Sequence, residues 1–202
     1  MRSAFASLFL FVAASFPAFS TEEAPFELVR KTGEVEVRKY PSLVVVETTV
    51  QGDMTDAGDA AFRPLFRYIS GANQRKEEIA MTAPVIQEGE KIAMTSPVIQ
   101  EGKGGAWIVQ FVLPAKYTLA NAPSPTDPNV RLRQTPARLM AAIRYSGRWT
   151  QSNYDEALAE LRKGMAAAGL TATGDPVWMR YDAPFTPGFL RRNEILIPIS
   201  GG

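Results

Sequence analysis

The side chains that most enzymes use for nucleophilic and acid–base chemistry at neutral pH are absent from this sequence. Its 202 residues include neither cysteine nor histidine. Thiolate nucleophiles, disulfides, covalent c-type heme attachment, histidine-based catalytic triads and His-rich zinc sites are therefore excluded. The groups that remain for chemistry or ligand binding are carboxylates, tyrosine hydroxyls, guanidinium groups and methionine thioethers.

Two of the methionines lie in a duplicated segment. Residues 79–89 recur as residues 92–102 with a period of 13, and one position differs between the copies. Each copy contains Met-Thr-x-Pro-Val-Ile, so Met81 and Met94 are equivalent positions. The period is too short for a solenoid repeat. We expect a duplicated strand and turn, with each proline at a strand end, an edge or a bulge because proline cannot donate to a ladder.

Two amphipathic helices are predicted. In the first, residues 56–70, the apolar positions follow the spacing i, i+3, i+4 and i+7 and form one stripe: Phe62, Leu65, Phe66 and Ile69. Pro64 lies inside this segment, and because an interior proline costs about 3 kcal/mol we expect a kink there. The second helix is predicted for residues 152–168, capped by Ser152 together with Asp155.

Strands are predicted on both sides of each helix, from alternating apolar and polar residues and from β-branched content. Three are expected within residues 26–50, and others at 107–113, 129–134, 137–146, 176–182 and 194–199. Strands, a helix and strands thus occur twice in succession. This order predicts one α+β domain built of two similar halves.

Composition and net charge limit the classes of binding partner that we expect. Hydrophobic residues make up 46% of the chain, which is ordinary for a globular protein. The 22 basic and 21 acidic residues leave a net charge of +1. Such a balance gives no electrostatic reason to expect nucleic acid or an anionic membrane as the main partner.

The first twenty residues are predicted to be a secretory signal peptide. Arg2 supplies the positive start, residues 4–19 are mostly apolar, and small residues occupy the −3 and −1 positions of a cleavage site after Ser20. An uncleaved anchor is the alternative. The prediction for the exported protein is a periplasmic or secreted location, with no stable membrane insertion after cleavage.

Three segments of the sequence resemble the SOUL family of heme-binding proteins. They are residues 68–73, residues 91–98 with the copy that begins at 79, and residues 180–189 leading into Arg-Arg-Asn-Glu at 191–194. The resemblance covers about residues 25–200. It implies that residues 21–202 form a single domain, a distorted antiparallel β-barrel of about eight strands with two flanking helices and a pseudo-twofold repeat. It also implies non-covalent, reversible binding of heme or related tetrapyrroles.

The resemblance also implies a set of ligand contacts. The family's proposed site lies against the first helix, with apolar contacts and a few basic groups. The corresponding positions here are the apolar and thioether side chains of Phe62, Phe66, Met81 and Met94 and the basic side chains of Arg63 and Arg67. A guanidinium group can pair with a heme propionate through charge-assisted hydrogen bonds. Thioethers are polarizable and can ligate heme iron.

The sequence departs from the family in one respect. Some SOUL proteins are proposed to ligate iron through histidine, and this chain has none. An axial ligand would have to be Met, Tyr, Lys or water. The alternative is that the porphyrin is held by its faces and propionates alone, in which case metal-free porphyrin should bind about as well as heme.

Three functions remain open from the sequence. The first is a monomeric, non-enzymatic carrier or buffer of heme, and this is the reading we adopt. The second is a small-molecule hydrolase, since related effector-binding folds suggest a pairing of Glu194 with Tyr181 or Tyr145. The third is a module that binds another amphipathic ligand or a protein. Structural roles compete with these, including an Arg192–Glu194 ion pair and Trp149 as a hydrophobic staple.

Overall fold

A computed structural model describes residues 22–75 and 89–200 of the chain. The predicted signal segment and most of the first copy of the duplicated segment, including Met81, lie outside the described residues. Within the described ranges, neither helix is both long and apolar enough to cross a bilayer.

The two predicted helices are confirmed. Helix α1 covers Met54–Ile69 and continues through Pro64, and helix α2 covers Gln151–Ala167. The predicted stripe of α1 is only partly right, because Leu65 and Ile69 are buried whereas Phe66 remains 46% exposed. The rest of the buried face consists of Met54, Tyr68 and three small residues, Ala57, Gly58 and Ala61, which let the helix lie close to the sheet.

The cap predicted for α2 is wrong. The side chain of Thr150, not that of Ser152, accepts the hydrogen bond from the backbone N–H of Asn153, at 3.3 Å. Asp155 instead accepts a hydrogen bond from Gln151 at 2.8 Å. A β-branched residue in extended conformation two residues earlier therefore fills the capping position.

Eleven strands are present among the described residues. They are β1 Glu27–Thr32, β2 Val35–Tyr40, β3 Leu43–Gln51, β4 Asn73–Gln74, β5 Val98–Lys103, β6 Ala106–Val112, β7 Ser124–Pro125, β8 Val130–Thr135, β9 Arg138–Tyr145, β10 Val177–Arg180 and β11 Asn193–Pro198. A short 3-10 turn, Gly188–Leu190, precedes β11. Pro97 stands immediately before β5, as expected for a proline that cannot join the ladder.

Nine of these strands form one curled antiparallel sheet in the order β1-β2-β9-β11-β10-β5-β6-β3-β8. The strands β2, β9, β11 and β10 correspond in order to β8, β3, β6 and β5 of the other half. The adjacent strands β10 and β5 therefore form the junction between the two pseudo-twofold halves. The predicted α+β class with two similar halves is confirmed. The sheet has nine strands instead of about eight and forms a half-barrel with β1 and β8 at its edges.

Both faces of the sheet are covered. Helix α1 packs on β3 and β6, and α2 packs on β9 and β11. On the opposite face of the sheet, a separate apolar cluster includes Val45, Ile99 and Leu196. Burial on both faces explains why neighbouring residues such as Val45 and Val46 are both buried.

Candidate ligand cavity

A cavity of about 520 Å³ opens at the pseudo-twofold junction, between α1, the segment before β5 and the segment after β10. This volume lies within the range of about 300–1,000 Å³ that is typical of sites for small molecules and cofactors. Most of the lining is apolar. Because β10 and β5 are the central strands, the cavity draws residues from both halves of the fold.

Aromatic rings form the wall on the α1 side. Phe62 lines the cavity and is half-buried, with its ring edge against Phe111 at a centroid distance of 5.4 Å. Phe66, one turn further along the helix, stacks on Phe62 at 5.6 Å. The stacked pair extends an apolar surface from the cavity to the outside of the molecule.

Trp149 and Phe185 contribute the wall on the other side. The indole N–H of Trp149 donates to the Asn193 side-chain oxygen at 2.8 Å, and the Arg191 guanidinium lies 4.3 Å from the Trp149 ring centroid. Arg191 also donates to the backbone oxygens of Thr186 and Pro184, which ties the segment after β10 to this tryptophan. Phe185 follows directly and is 89% exposed. The aromatic surface is thus held by hydrogen bonds while its outer edge stays open.

A buried arginine lines the inner end of the cavity. Arg180, the last residue of β10, lines the cavity and is only 6% exposed. Its Nη2 donates to Gln100 at 3.3 Å, and its Nε has no hydrogen-bond partner. The guanidinium lies 5.0 Å from the ring centroids of both Trp149 and Trp178. Burial lowers the pKa of Arg180 to about 10, so the group is still protonated at neutral pH.

Gly58 makes room for that guanidinium on α1. A Cβ atom at this position would stand 2.3 Å from the Nη2 atom of Arg180 and 2.4 Å from its Nη1 atom. These distances are far inside van der Waals contact. The absence of a side chain at Gly58 therefore allows the cation to approach the helix beside the cavity.

The residues singled out by sequence do not all meet in this cavity. Phe62 and Met94 line it, and Phe66 adjoins it through its stack on Phe62. Arg63 is exposed and does not line the cavity. Arg67 lines a separate hollow between α1 and the segment 125–128, and Met81 lies outside the described residues. Their role in ligand binding stays a prediction.

Sequence reasoning missed Trp149, Arg180 and Phe185 as cavity residues. The sequence indicates at most a packing role for Trp149, and the segment from Arg180 to Phe185 contributes only to the family resemblance. One signal was available. Arg180 ends a strand that is buried at every position, and a charged residue in a buried strand needs either a partner or a function.

A second buried charge lies on the other face of the sheet. Glu194 is 0% exposed, and its carboxylate accepts hydrogen bonds from Arg38 Nη1 at 2.6 Å, from the Tyr181 hydroxyl at 2.9 Å and from Arg192 Nε at 3.1 Å. Burial disfavours the charged form of Arg38, but its hydrogen bonds to Glu194 raise the pKa of Arg38 overall. Burial and the Glu194 charge raise the pKa of Tyr181. This cluster contains the Arg192–Glu194 ion pair expected from the sequence, at 3.0 Å.

The same cluster decides between the two tyrosines that were paired with Glu194. Tyr181 contacts the carboxylate directly. Tyr145 is in register with Asn193, the residue before Glu194, so it points to the opposite face of the sheet. Each carboxylate oxygen of Glu194 accepts two hydrogen bonds from neighbouring side chains. Glu194 therefore has no free lone pair for a substrate, and these contacts indicate a structural role.

A curled antiparallel half-barrel with an aromatic, largely apolar cavity defines a small-molecule-binding α+β domain. The chain belongs to the SOUL heme-binding protein family, whose sequence profile matches residues 21–198. It is 28% identical over 161 residues to heme-binding protein 1 of Xenopus tropicalis, which covers 79% of this chain and 80% of that protein.

Two solved structures share the fold. The EcmrR C-terminal domain gives a TM-score of 0.59 at 13% identity, over 83% of this chain and 98% of that one. A hydrolase from Listeria innocua gives a TM-score of 0.54 at 11% identity, over 85% of this chain and 94% of that one. At such identities the likeness shows the fold alone.

The side chains that line the cavity suit a flat, largely apolar macrocycle. Phe62, Trp149 and Phe185 offer ring faces, Met94 offers a thioether, and Arg180 offers a cation for an acidic substituent. Imidazole is absent from the whole chain. The fit therefore rests on faces and charge, with a thioether as the soft donor atom among the described lining residues.

Proposed function

We propose that this protein binds heme or a related tetrapyrrole non-covalently and reversibly in the cavity between α1 and the segment 181–185. The observation that carries the proposal is the cavity itself, about 520 Å³ with aromatic rings on two sides. Membership of the SOUL family supports the identity of the ligand. In this proposal the protein acts as a carrier or buffer of the ligand.

The environment of Glu194 supports a binding role over catalysis. A general base needs a lone pair within reach of the proton it removes. The carboxylate of Glu194 is fully buried and held by Arg38, Arg192 and Tyr181. A substrate that displaced Arg38 would take from this buried guanidinium its fully buried counter-ion, which is costly.

Iron contributes little to affinity in this proposal. The chain offers no imidazole, and Met94 is 38% exposed at the cavity wall. Most of the binding energy then comes from burying the macrocycle against the rings and from pairing its acidic groups. We expect metal-free porphyrin to bind within about tenfold of heme, a difference of about 1.4 kcal/mol.

Optical titration with heme tests the proposal. Binding should shift the Soret band and quench tryptophan fluorescence at micromolar heme, because Trp149 lines the cavity. The Trp149→Phe variant keeps an aromatic wall and should lose a large part of the quenching at saturation. Trp107→Phe, at the start of β6 and outside the cavity, is the matched control and should retain it. Absence of both a Soret shift and quenching would overturn the proposal.

The location and the oligomeric state are part of the same proposal. We expect the mature protein to start after residue 20, in the periplasm or the medium, and to be a monomer that binds neither nucleic acid nor membranes. Mass spectrometry of the purified N-terminus and sedimentation analysis check these points. An intact N-terminus in the cytoplasmic fraction would contradict the export proposal and leave the ligand proposal untouched.

A further inference from the structure

The sheet beneath the cavity contains a buried hydrogen-bond donor without a partner. Arg180, Trp178 and Tyr145 have buried polar atoms there. The Trp178 indole acts on the Tyr145 hydroxyl, whereas the Nε of Arg180 has no hydrogen-bond partner. A guanidinium N–H can only donate, and buried donors are almost always satisfied, so the unpaired Nε calls for an explanation.

The three side chains lie on the same face of the sheet. Arg180 and Tyr145 are both in register with Asn193, on either side of β11, and Trp178 precedes Arg180 by two residues on β10. Register neighbours and residues two apart share a face. Burial raises the pKa of the Tyr145 hydroxyl, whereas its hydrogen bond with the Trp178 indole and the Arg180 charge lower it.

Two side-chain acceptors near Arg180 are already used. The side-chain oxygen of Asn193 accepts from Trp149, and Gln100 accepts one hydrogen bond from Arg180 while its own amide donates to the Met54 carbonyl at 2.7 Å. Asp59 lines the cavity and its charge favours protonated Arg180. Among the described residues, however, no carboxylate lies within ion-pair distance of Arg180.

We propose that the guanidinium of Arg180 receives a carboxylate of the ligand, so that a tetrapyrrole enters the cavity with one propionate directed at the sheet. This inference rests on the proposed function and adds the orientation of the ligand. Gln100 is the one side-chain acceptor recorded for Arg180 among the described residues, so an anion in the cavity would add a partner for the guanidinium. Charge-assisted hydrogen bonds of this kind are among the strongest in proteins.

The proposal separates Arg180 from the basic residues predicted on α1. Arg63 and Arg67 are exposed, whereas Arg180 is buried against two indole rings in the cavity lining. A carboxylate paired with a buried guanidinium is screened less by water and salt than one paired at the surface. The deeper residue therefore gives the larger and more salt-resistant contribution.

The experiment compares mesoporphyrin with its dimethyl ester, which keeps the macrocycle and removes both negative charges. Wild-type protein, Arg180→Met and Arg30→Met are titrated with both probes in the same dilute detergent buffer. Arg30 is an exposed arginine of β1 and provides the matched control. We expect Arg180→Met to weaken binding of the diacid by about ten- to hundredfold, and to leave binding of the ester unchanged. Arg30→Met should change neither.

Two further variants keep the test independent of protein folding. Gly58→Ala retains the Arg180 charge but places a methyl group against the guanidinium, and it should weaken the diacid more than the ester. Asp59→Asn removes a negative charge from the cavity lining that acts on Arg180 and would repel a ligand carboxylate, so it should tighten binding of the diacid a few-fold. Opposite effects from two neighbouring residues of α1 cannot arise from unfolding.

The outcomes distinguish this inference from the proposed function. If neither probe binds the wild-type protein, the proposed function fails. If both probes bind the wild-type protein equally well, and Arg180→Met changes neither or weakens both alike, the carboxylate pairing is overturned while tetrapyrrole binding stands.

Discussion

Arg180 and Glu194 are charged residues on neighbouring strands, both almost fully buried, and their surroundings are opposite. Glu194 has its two oxygens occupied by two guanidinium groups and a tyrosine hydroxyl. Arg180 has one amide acceptor and a donor without a partner, and it faces a cavity. The sheet places them on opposite faces, because Arg180 is in register with the residue before Glu194.

This difference separates a structural charge from a binding charge. A buried ion that is fully paired stabilises the local fold, because removing one partner leaves the other charges buried without compensation. A buried ion with spare hydrogen-bonding capacity and an opening beside it is arranged for a group that the chain does not supply. Burial alone would not have distinguished the two residues.

Removing the paired charge is expected to have the largest effect. Glu194→Gln removes the fully buried counter-ion that Arg38 and Arg192 share. Among the described residues, the buried Arg38 then keeps only the partly exposed Glu36 as an ion-pair partner, and Arg192 keeps only the exposed Glu23. We expect a loss of about 3–5 kcal/mol in the free energy of unfolding, measured by urea denaturation. The control is Glu101→Gln, whose partner Arg138 is partly exposed, with an expected loss below about 1 kcal/mol. Equal losses in the two variants would remove the structural role of Glu194.

The alkaline limit of stability extends the comparison to the tyrosines on both faces. Burial raises the pKa of every tyrosine in the chain: Tyr40, Tyr68, Tyr117, Tyr145, Tyr154 and Tyr181. It raises the pKa of Tyr117 and of Tyr154 to about 12. In an unfolded chain the value is about 10.

The stability that these hydroxyls contribute is complete below pH 10 and is lost as the pH rises through their folded-state values. We therefore expect tyrosinate absorbance to appear together with the loss of near-UV circular dichroism above pH 10. Ionisation near pH 10 with the tertiary signal intact would show that the rings are not held in this environment.

Substitutions in the cavity wall should lower ligand affinity more than they lower the stability of the fold. Phe62→Ala removes the ring that packs on Phe111 and lines the cavity. From the apolar area that the ring can bury, we expect about a tenfold loss in porphyrin affinity, measured by fluorescence titration. Phe189→Ala is the matched control, because Phe189 is largely exposed and lies outside the cavity lining. A similar loss in both variants would place the ligand elsewhere.

The smallest effect is expected at Arg67. The family resemblance predicts a propionate contact there, whereas the structure places Arg67 in a hollow with Pro64 and Pro125, apart from the cavity. Arg67→Glu should change porphyrin affinity by less than about threefold, because an exposed charge of this kind is strongly screened. A loss as large as that of Arg180→Met would favour a ligand on the outer flank of α1 and would reverse the ranking of the two arginines.

Local sequence signals were sufficient for the architecture. The apolar spacing in α1 and the alternation in β2 and β11 depend on neighbouring residues, and these elements were found within a few positions. The cap of α2 was misplaced by two residues, because Thr150 and Ser152 carry the same capping chemistry and only the backbone conformation distinguishes them.

The cavity was only partly accessible to sequence reasoning. Phe62 and Met94 were named because the family resemblance points to α1 and to the duplicated segment. Trp149 and Arg180 are far from both in the chain, and they meet only because β10 and β5 pair at the pseudo-twofold junction. The pairing of β10 with β5 leaves no periodic signal in the sequence. The need for glycine at position 58 becomes visible only when Arg180 is seen to lie against it.

The most direct test of the account is a map of backbone and side-chain chemical-shift changes when metal-free mesoporphyrin is added. The ring current of the macrocycle should shift the Trp149 indole N–H, the Met94 methyl group and the amide of Gly58 most strongly, and leave Arg38 and Arg192 nearly unchanged. Shifts concentrated around Arg67 and Pro125, or spread over α2, would contradict the assignment of this cavity as the ligand site.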